Sequence, residues 1–180
     1  MSRTFAFLRA INVGGHTVTT ARLKELFQEL GLRNVETFLA SGNVVFDGGS
    51  AKEAALQKKI EGHLHAALGY EVATFLRTEG ELAALVRGCP FSAAEAAGAK
   101  ALNVALLQGP LPAEAEARLQ GLRTELDAFR AAGREVWWLC FARQSESTFS
   151  NAVFEKTVKV RATFRGLNTL QRLAAKHLKA

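Results

Sequence analysis

The spacing of apolar positions changes repeatedly along the chain, and each change predicts an element. Residues 4 to 12 (TFAFLRAIN) form an apolar run bounded by polar residues, the pattern of a strand buried on both faces. Leu23, Leu26, Phe27 and Leu30 then fall at i, i+3, i+4 and i+7, with Thr19 or Thr20 placed to cap a helix and Gly31 to end it. Residues 35 to 40 (VETFLA) and 43 to 47 (NVVFD) are β-rich runs separated by Ser41 and Gly42, the spacing of a tight hairpin. Ser50 and Glu53 have capping-box spacing ahead of a helix carrying Leu56, Ile60 and Leu64 and stopping at Gly69. Residues 71 to 77 (EVATFLR) read as another strand.

That order, β-α-β-β-α-β, is the ferredoxin-like arrangement, and it recurs. After a helical linker around Glu79 to Val86 come a strand at 101 to 107, a helix at 112 to 123, strands at 125 to 130 and 134 to 140 across an Ala131-Ala132-Gly133 turn, a helix at 150 to 158 and a strand at 159 to 163. Leu170, Leu173, Ala174, His177 and Leu178 mark a final helix. The expected fold is α+β: two tandem ferredoxin-like (βαββαβ) units packed as one compact protein, with an extra C-terminal helix. The boundaries are 1–78 for the first unit, 79–99 for the linker and 100–180 for the second unit with its helix.

Set side by side, the two halves single out one loop. The second half joins its first strand to its helix through the compact Gln108-Gly109-Pro110-Leu111-Pro112, whereas the first half spends Asn12 to Thr19 on the same link. In a ferredoxin-like sheet the end of strand one and the hairpin of strands two and three share an edge, so Asn12, Gly14 and Gly15 are expected beside Ser41, Gly42 and Asn43.

Charge and composition narrow the setting. A 180-residue chain can bury roughly 70% of its unfolded surface without staples. Its net charge of +6 comes entirely from residues 141–180, with 8 basic and 2 acidic side chains, while residues 1–140 balance. That segment suits either a solvated helix face or a patch for an anionic partner. Cys89 and Cys140 have no C-x-x-C or metal-ligand spacing, and Arg3 and Arg9 interrupt the first apolar run, which argues against a signal peptide. No apolar stretch approaches the roughly 20 residues of a membrane span. The expectation is a reduced, cytoplasmic protein with no membrane partner.

The stretches "LRAINVGG" and "LKELFQELGLRNVETFLASGNVVF" closely resemble the bacterial family called domain of unknown function 1697. A weaker echo, "SNAVFEKTVKVRATFRGLNTLQRL", is similar to that family's second signature, a helix, a short strand and an Arg-x-x-Asn-Thr turn. The resemblance implies a two-part α+β fold and no established activity. The family usually has glycine at the position of Ala10, a polar residue at Ala40, and asparagine and tryptophan at Gly166 and Leu167. Arg165, Asn168 and Thr169 are the matched polar residues of the second signature.

Candidate chemistry gathers at the enlarged loop. Glycines, hydroxyls and a helix N-terminus are the parts of an anion site, although the pattern is neither a Walker A loop nor G-x-G-x-x-G. A turn with φ > 0 at Gly14 and Gly15 and threonines capping the helix explains the same residues. Arg9 alternates with Phe5, Phe7 and Ile11 and, if embedded, needs a carboxylate, carbonyls or a bound anion, with Glu36 the candidate partner. Asn168 with Gln171 has capping-pair spacing, leaving Arg165 free to bind. His63 and His65 point to different sides of a helix, so no metal site is expected. Of Trp137 and Trp138, which alternate, one is expected in the core and the other at a surface.

The leading expectation is a non-catalytic binding protein for a small anionic or phosphate-bearing ligand, held by Arg9, Asn12, Gly14, Gly15, Ser41, Gly42, Asn43 and Arg165. The alternatives are nucleic-acid (RNA) binding through the basic C-terminal segment, and an enzyme using His16 as acid or base. No motif identifies a cofactor.

Overall fold

The computed structural model describes residues 2–178 and divides into two units, Met1–Ala83 and Ala84–Ala180. Among the described residues it is an α+β protein with two four-stranded antiparallel sheets and seven α-helices.

The first unit contains β1 (Arg3–Leu8), α1 (Thr20–Glu29), β2 (Glu36–Thr37), β3 (Asn43–Asp47), α2 (Glu53–Leu68) and β4 (Thr74–Thr78). The strands lie in the order β2-β3-β1-β4, so the longest-paired strand, β1, is central. Its register sets Phe5 opposite Val45 and Arg77, and Phe7 opposite Asn43 and Phe75. Ala6, Leu8, Val44, Phe46 and Leu76 project from one face onto Leu23, Leu26, Phe27, Ile60 and Leu64 of the two helices. Phe5, Phe7, Val45 and Phe75 alternate with them and are also buried, which is why β1 reads as a continuous apolar run.

Capping decides where these helices begin. Thr19 accepts a hydrogen bond from the Arg22 backbone N–H at 3.1 Å and starts α1, as its hydroxyl predicts. The Ser50–Glu53 box does not form. The Gly48 N–H is still tied to the Ser2 carbonyl at 2.7 Å, Lys52 is the N-cap without a side-chain bond, and Glu53 is the first helical residue instead of the third. Strand 35–40 shrinks to two residues because Leu39 turns left-handed at φ 60°.

After α3 (Glu79–Arg87), the second unit contains α4 (Ala93–Ala97), β5 (Ala101–Leu106), α5 (Ala113–Gln120), β6 (Asp127–Ala132), β7 (Glu135–Cys140), α6 (Asn151–Val158), β8 (Thr163–Gly166) and α7 (Leu167–His177). Its sheet runs β6-β7-β5-β8. The β6–β7 turn is two residues, Gly133-Arg134, with Ala132 paired to Glu135 and Gly133 at φ 58°; the alanines belong to the strand. β8 starts four residues later than the sequence pattern suggests, because Lys159 adopts φ 62° to close α6 and the chain must turn before it can pair. α7 is capped by Gly166 with no side-chain bond, so Asn168 lies inside the helix and does not cap it. Trp137 and Trp138 are both buried, which removes an exposed tryptophan as a base-stacking surface. Among the described residues no helix is long and apolar enough to cross a membrane.

Aromatic packing dominates the second core. Phe149 lies within 4.7 Å of both Phe129 and Trp138, centroid to centroid, and Phe154 packs edge-on to Phe164. Inside it sits Asp127, 2% exposed. Its carboxylate accepts from Trp138 Nε1 at 2.7 Å, from Ser147 Oγ at 2.9 and 3.0 Å, and from Thr124 Oγ1 at 3.0 Å. These donors replace water for a charge that the sequence pattern does not flag. Burial chiefly, with the Asp127 carboxylate adding to it, raises the neighbouring Cys140 thiol above its ordinary range, while a bond to the Ala142 carbonyl opposes the shift.

Candidate functional site

The chain leaves β1 at Leu8 and enters the enlarged loop at once. Arg9 lies past the strand, half-buried, and its N–H donates to the Ala73 carbonyl at 2.9 Å. Ala10 follows in the left-handed region at φ 55°. Val13 to His16 form a turn closed by His16 N–H to Val13 carbonyl at 3.2 Å, with Gly14 and Gly15 at φ 64° and 83°. Nothing lies within 4 Å of a Cβ added at either glycine, so their requirement is conformational.

Asn12 joins this loop to the hairpin. Its Oδ1 accepts from the Val18 N–H at 2.7 Å and its Nδ2 donates to the Ala40 carbonyl at 2.8 Å. Leu8 N–H donates to the Gly42 carbonyl at 2.8 Å, and Tyr70 Oη donates to the Ile11 carbonyl at 3.0 Å. Asn12, Gly14, Gly15, Ser41, Gly42 and Asn43 therefore share one edge of the first sheet.

Their roles within it differ. Asn43 is 1% exposed and donates to the Phe38 carbonyl and to Ser41 Oγ, both at 2.8 Å, so it fixes the hairpin. Asn12 braces loop to hairpin through both amide atoms. The exposed face belongs to the backbone of residues 12–17, to His16, which stacks on Tyr70 at 3.9 Å, and to Val13 and Leu39, 56% and 44% exposed. Burial raises the Tyr70 phenol above its ordinary range. α1 opens beside this loop with no acidic residue in its first turn. The rim offers a cation, an imidazole, backbone donors and apolar contacts; among the described residues no cluster of His, Cys, Asp or Glu could hold a metal ion.

The arginine expected to be embedded is a different one. Glu36 pairs with Arg3 at 3.0 Å, and the side chain buried in the first sheet is Arg77, 1% exposed, donating to the Leu76 carbonyl at 2.7 Å. The same alternation rule applied to Phe75 and Arg77 would have found it. Arg165 is likewise buried, 8% exposed, and donates to Thr163 Oγ1 at 2.8 Å and to the Phe164 carbonyl at 2.9 Å. Desolvation lowers it to about 10, so it stays cationic at neutral pH. It belongs to the second unit's sheet and is not the freely presented side chain that the sequence suggests.

Ala10 supplies a direct check on the rim's backbone. An exposed alanine at φ 55° is strained where glycine is not, so Ala10→Gly should stabilise the protein by about 0.5–1 kcal/mol in urea denaturation at unchanged m-value. A loss of stability would show that Ala10 is held by more than its neighbours' geometry.

The described fold is similar to that of the conserved bacterial protein SP0830 from Streptococcus pneumoniae, with TM-score 0.75 and 22% identity over 97% of each chain. No curated protein matches the chain. The family model described as protein of unknown function, DUF1697, matches residues 1–137, which take in the whole enlarged loop and the hairpin, while the stretch from Ser150 to Leu173 lies beyond the matched residues. The chain belongs to this family of proteins of unknown function, DUF1697.

Proposed function

We propose that the rim formed by residues 9–20 and 39–43 binds a small anionic or phosphate-bearing ligand, and that the protein acts by binding and not by catalysis. The observation that carries this reading is the collection of left-handed backbone at one edge: Ala10, Gly14, Gly15, Leu39 and Gly42, two of them not glycine. Non-glycine residues held there cost about 1–3 kcal/mol each and persist where the surrounding structure imposes them. Asn12 provides that constraint, and the backbone of the turn is exposed beside Arg9 and the start of α1. Asn12 and Asn43 act as braces, so the ligand contacts fall to backbone N–H groups, Arg9 and His16.

The fold supporting the rim is, in this reading, a tandem pair of ferredoxin-like units. Both sheets share one strand order, and the last strand of each carries a buried arginine, Arg77 opposite Phe5 and Arg165 opposite Val104. The two free thiols, Cys89 and Cys140, suit a reducing cytoplasmic setting.

A thermal-shift panel of inorganic phosphate, pyrophosphate and nucleoside phosphates tests the reading. A ligand at 100 times its Kd should stabilise by about 2.7 kcal/mol. Arg9→Gln should abolish the shift while leaving the unliganded protein folded. An undiminished shift in that variant would remove the rim from consideration. Steeply salt-dependent RNA binding lost on neutralising the exposed Lys156, Lys159 and Arg172 would favour the C-terminal segment instead.

A further inference from the structure

The exposed chemistry of the rim is not all polar. Val13 and Leu39 are the two most exposed large apolar side chains among the described residues, and both border it. Asn12 ties them together: the 2.8 Å bond from its Nδ2 to the Ala40 carbonyl joins the residue before Val13 to the residue after Leu39. Leu39 also sits at φ 60°, where glycine or asparagine would be less strained, and its exposed side chain recovers little of that strain by burial. An apolar group held at the surface against its backbone preference points to a contact outside the chain.

His16 supplies a flat surface beside them. Its N–H donates to the Val13 carbonyl at 3.2 Å, and its ring stacks on Tyr70 with centroids 3.9 Å apart and planes 23° from parallel. Tyr70 is half-buried and its hydroxyl donates to the Ile11 carbonyl at 3.0 Å, so the supporting ring is pinned to the same short stretch of backbone. His16 is exposed although Tyr70 covers one of its faces, so what it presents to solvent is its other face and its edge. An anchored aromatic face flanked by apolar side chains suits a flat ring, and a base stacked on such a face gains about tenfold or more in affinity.

We propose that the ligand of the rim is a nucleoside phosphate, its base stacked on the outer face of His16 with Val13 and Leu39 flanking it. The inference rests on the reading of the rim as an anion site, to which it adds the chemistry of the ligand's other half.

Isothermal titration of the full chain with inorganic phosphate, ribose 5-phosphate, adenosine and the monophosphates of adenosine, guanosine, cytidine and uridine tests it. The tightest nucleoside monophosphate should bind about tenfold or more tightly than ribose 5-phosphate. In His16→Ala that advantage should vanish, whereas His16→Phe, which keeps a flat ring, should retain it. Equal affinities for ribose 5-phosphate and every nucleoside monophosphate, or an advantage that survives in folded His16→Ala, would overturn the inference and leave the rim an anion site. Adenosine binding as tightly as its monophosphate would overturn the phosphate reading and leave the ring platform standing. No binding by any of them would overturn both.

Discussion

Gly42→Ala is expected to destabilise the protein by about 2–4 kcal/mol, through left-handed strain and overpacking together. Gly42 sits at φ 78°, and a Cβ there would lie 2.8 Å from Ile11 Cγ2 and 3.1 Å from Leu8 Cβ. Isoleucine's branched carbon cannot swing away as the end of a long side chain could, and Leu8 and Ile11 are both buried. The hairpin would have to lift off the end of β1, stretching the 2.8 Å bond from Leu8 N–H to the Gly42 carbonyl. Gly14→Ala and Gly15→Ala separate the two contributions. They share the positive φ but meet nothing within 4 Å, so about 1 kcal/mol is expected for each. Equal losses at all three positions, measured by urea denaturation, would mean that the rim is not clamped at Gly42.

Asp127→Ala should cost about 3 kcal/mol or more, because it strips the acceptor from the Trp138 indole, which is buried, and from the Ser147 and Thr124 hydroxyls. Ser147 also accepts from the Phe149 N–H at 3.0 Å, so the loop that leads from β7 into the aromatic core loses its anchor as well. Asp127→Asn should cost less, about 1 kcal/mol, since the amide oxygen can still accept from Trp138 while its nitrogen must compete for hydroxyls already committed to backbone donors. Alanine and asparagine variants of equal stability would show that the carboxylate contributes little beyond its volume. Tryptophan emission provides a second readout, as the indole N–H loses its partner only in the alanine variant.

Much of the fold was legible because its elements obey simple periodicities. α1 announces itself through Leu23, Leu26 and Phe27 with a threonine ahead of it, and β1 through an unbroken apolar run. Boundaries set by tertiary contacts were not legible. Ser50 and Glu53 have capping-box spacing, yet the tie between Gly48 and Ser2 delays the helix. Asn168 resembles a cap, yet Gly166 already occupies that position. The shift of β8 follows from Lys159 turning left-handed, for which lysine carries no signal.

For the candidate site, topology could be read and roles could not. That the loop meets the hairpin follows from element order alone. Which atoms of Asn12 and Asn43 remain available depends on register and on carbonyls such as those of Ala40 and Phe38, which leave no mark in a sequence. Arg9 stands out in the sequence because the apolar run extends through it to Ile11, whereas the strand ends at Leu8. Asp127 carries no local sequence signal, since its partners come from β7, from the turn before β6 and from the loop after β7.

Mapping amide shifts of the labelled protein with the strongest phosphate-bearing ligand from the thermal panel locates its binding site. If the rim of the first unit holds the ligand, saturable shifts concentrate at residues 9–20 and 39–43, with the His16 ring moving alongside its Tyr70 partner. Saturable shifts confined to other residues, with the rim amides unmoved, would contradict a site at the rim.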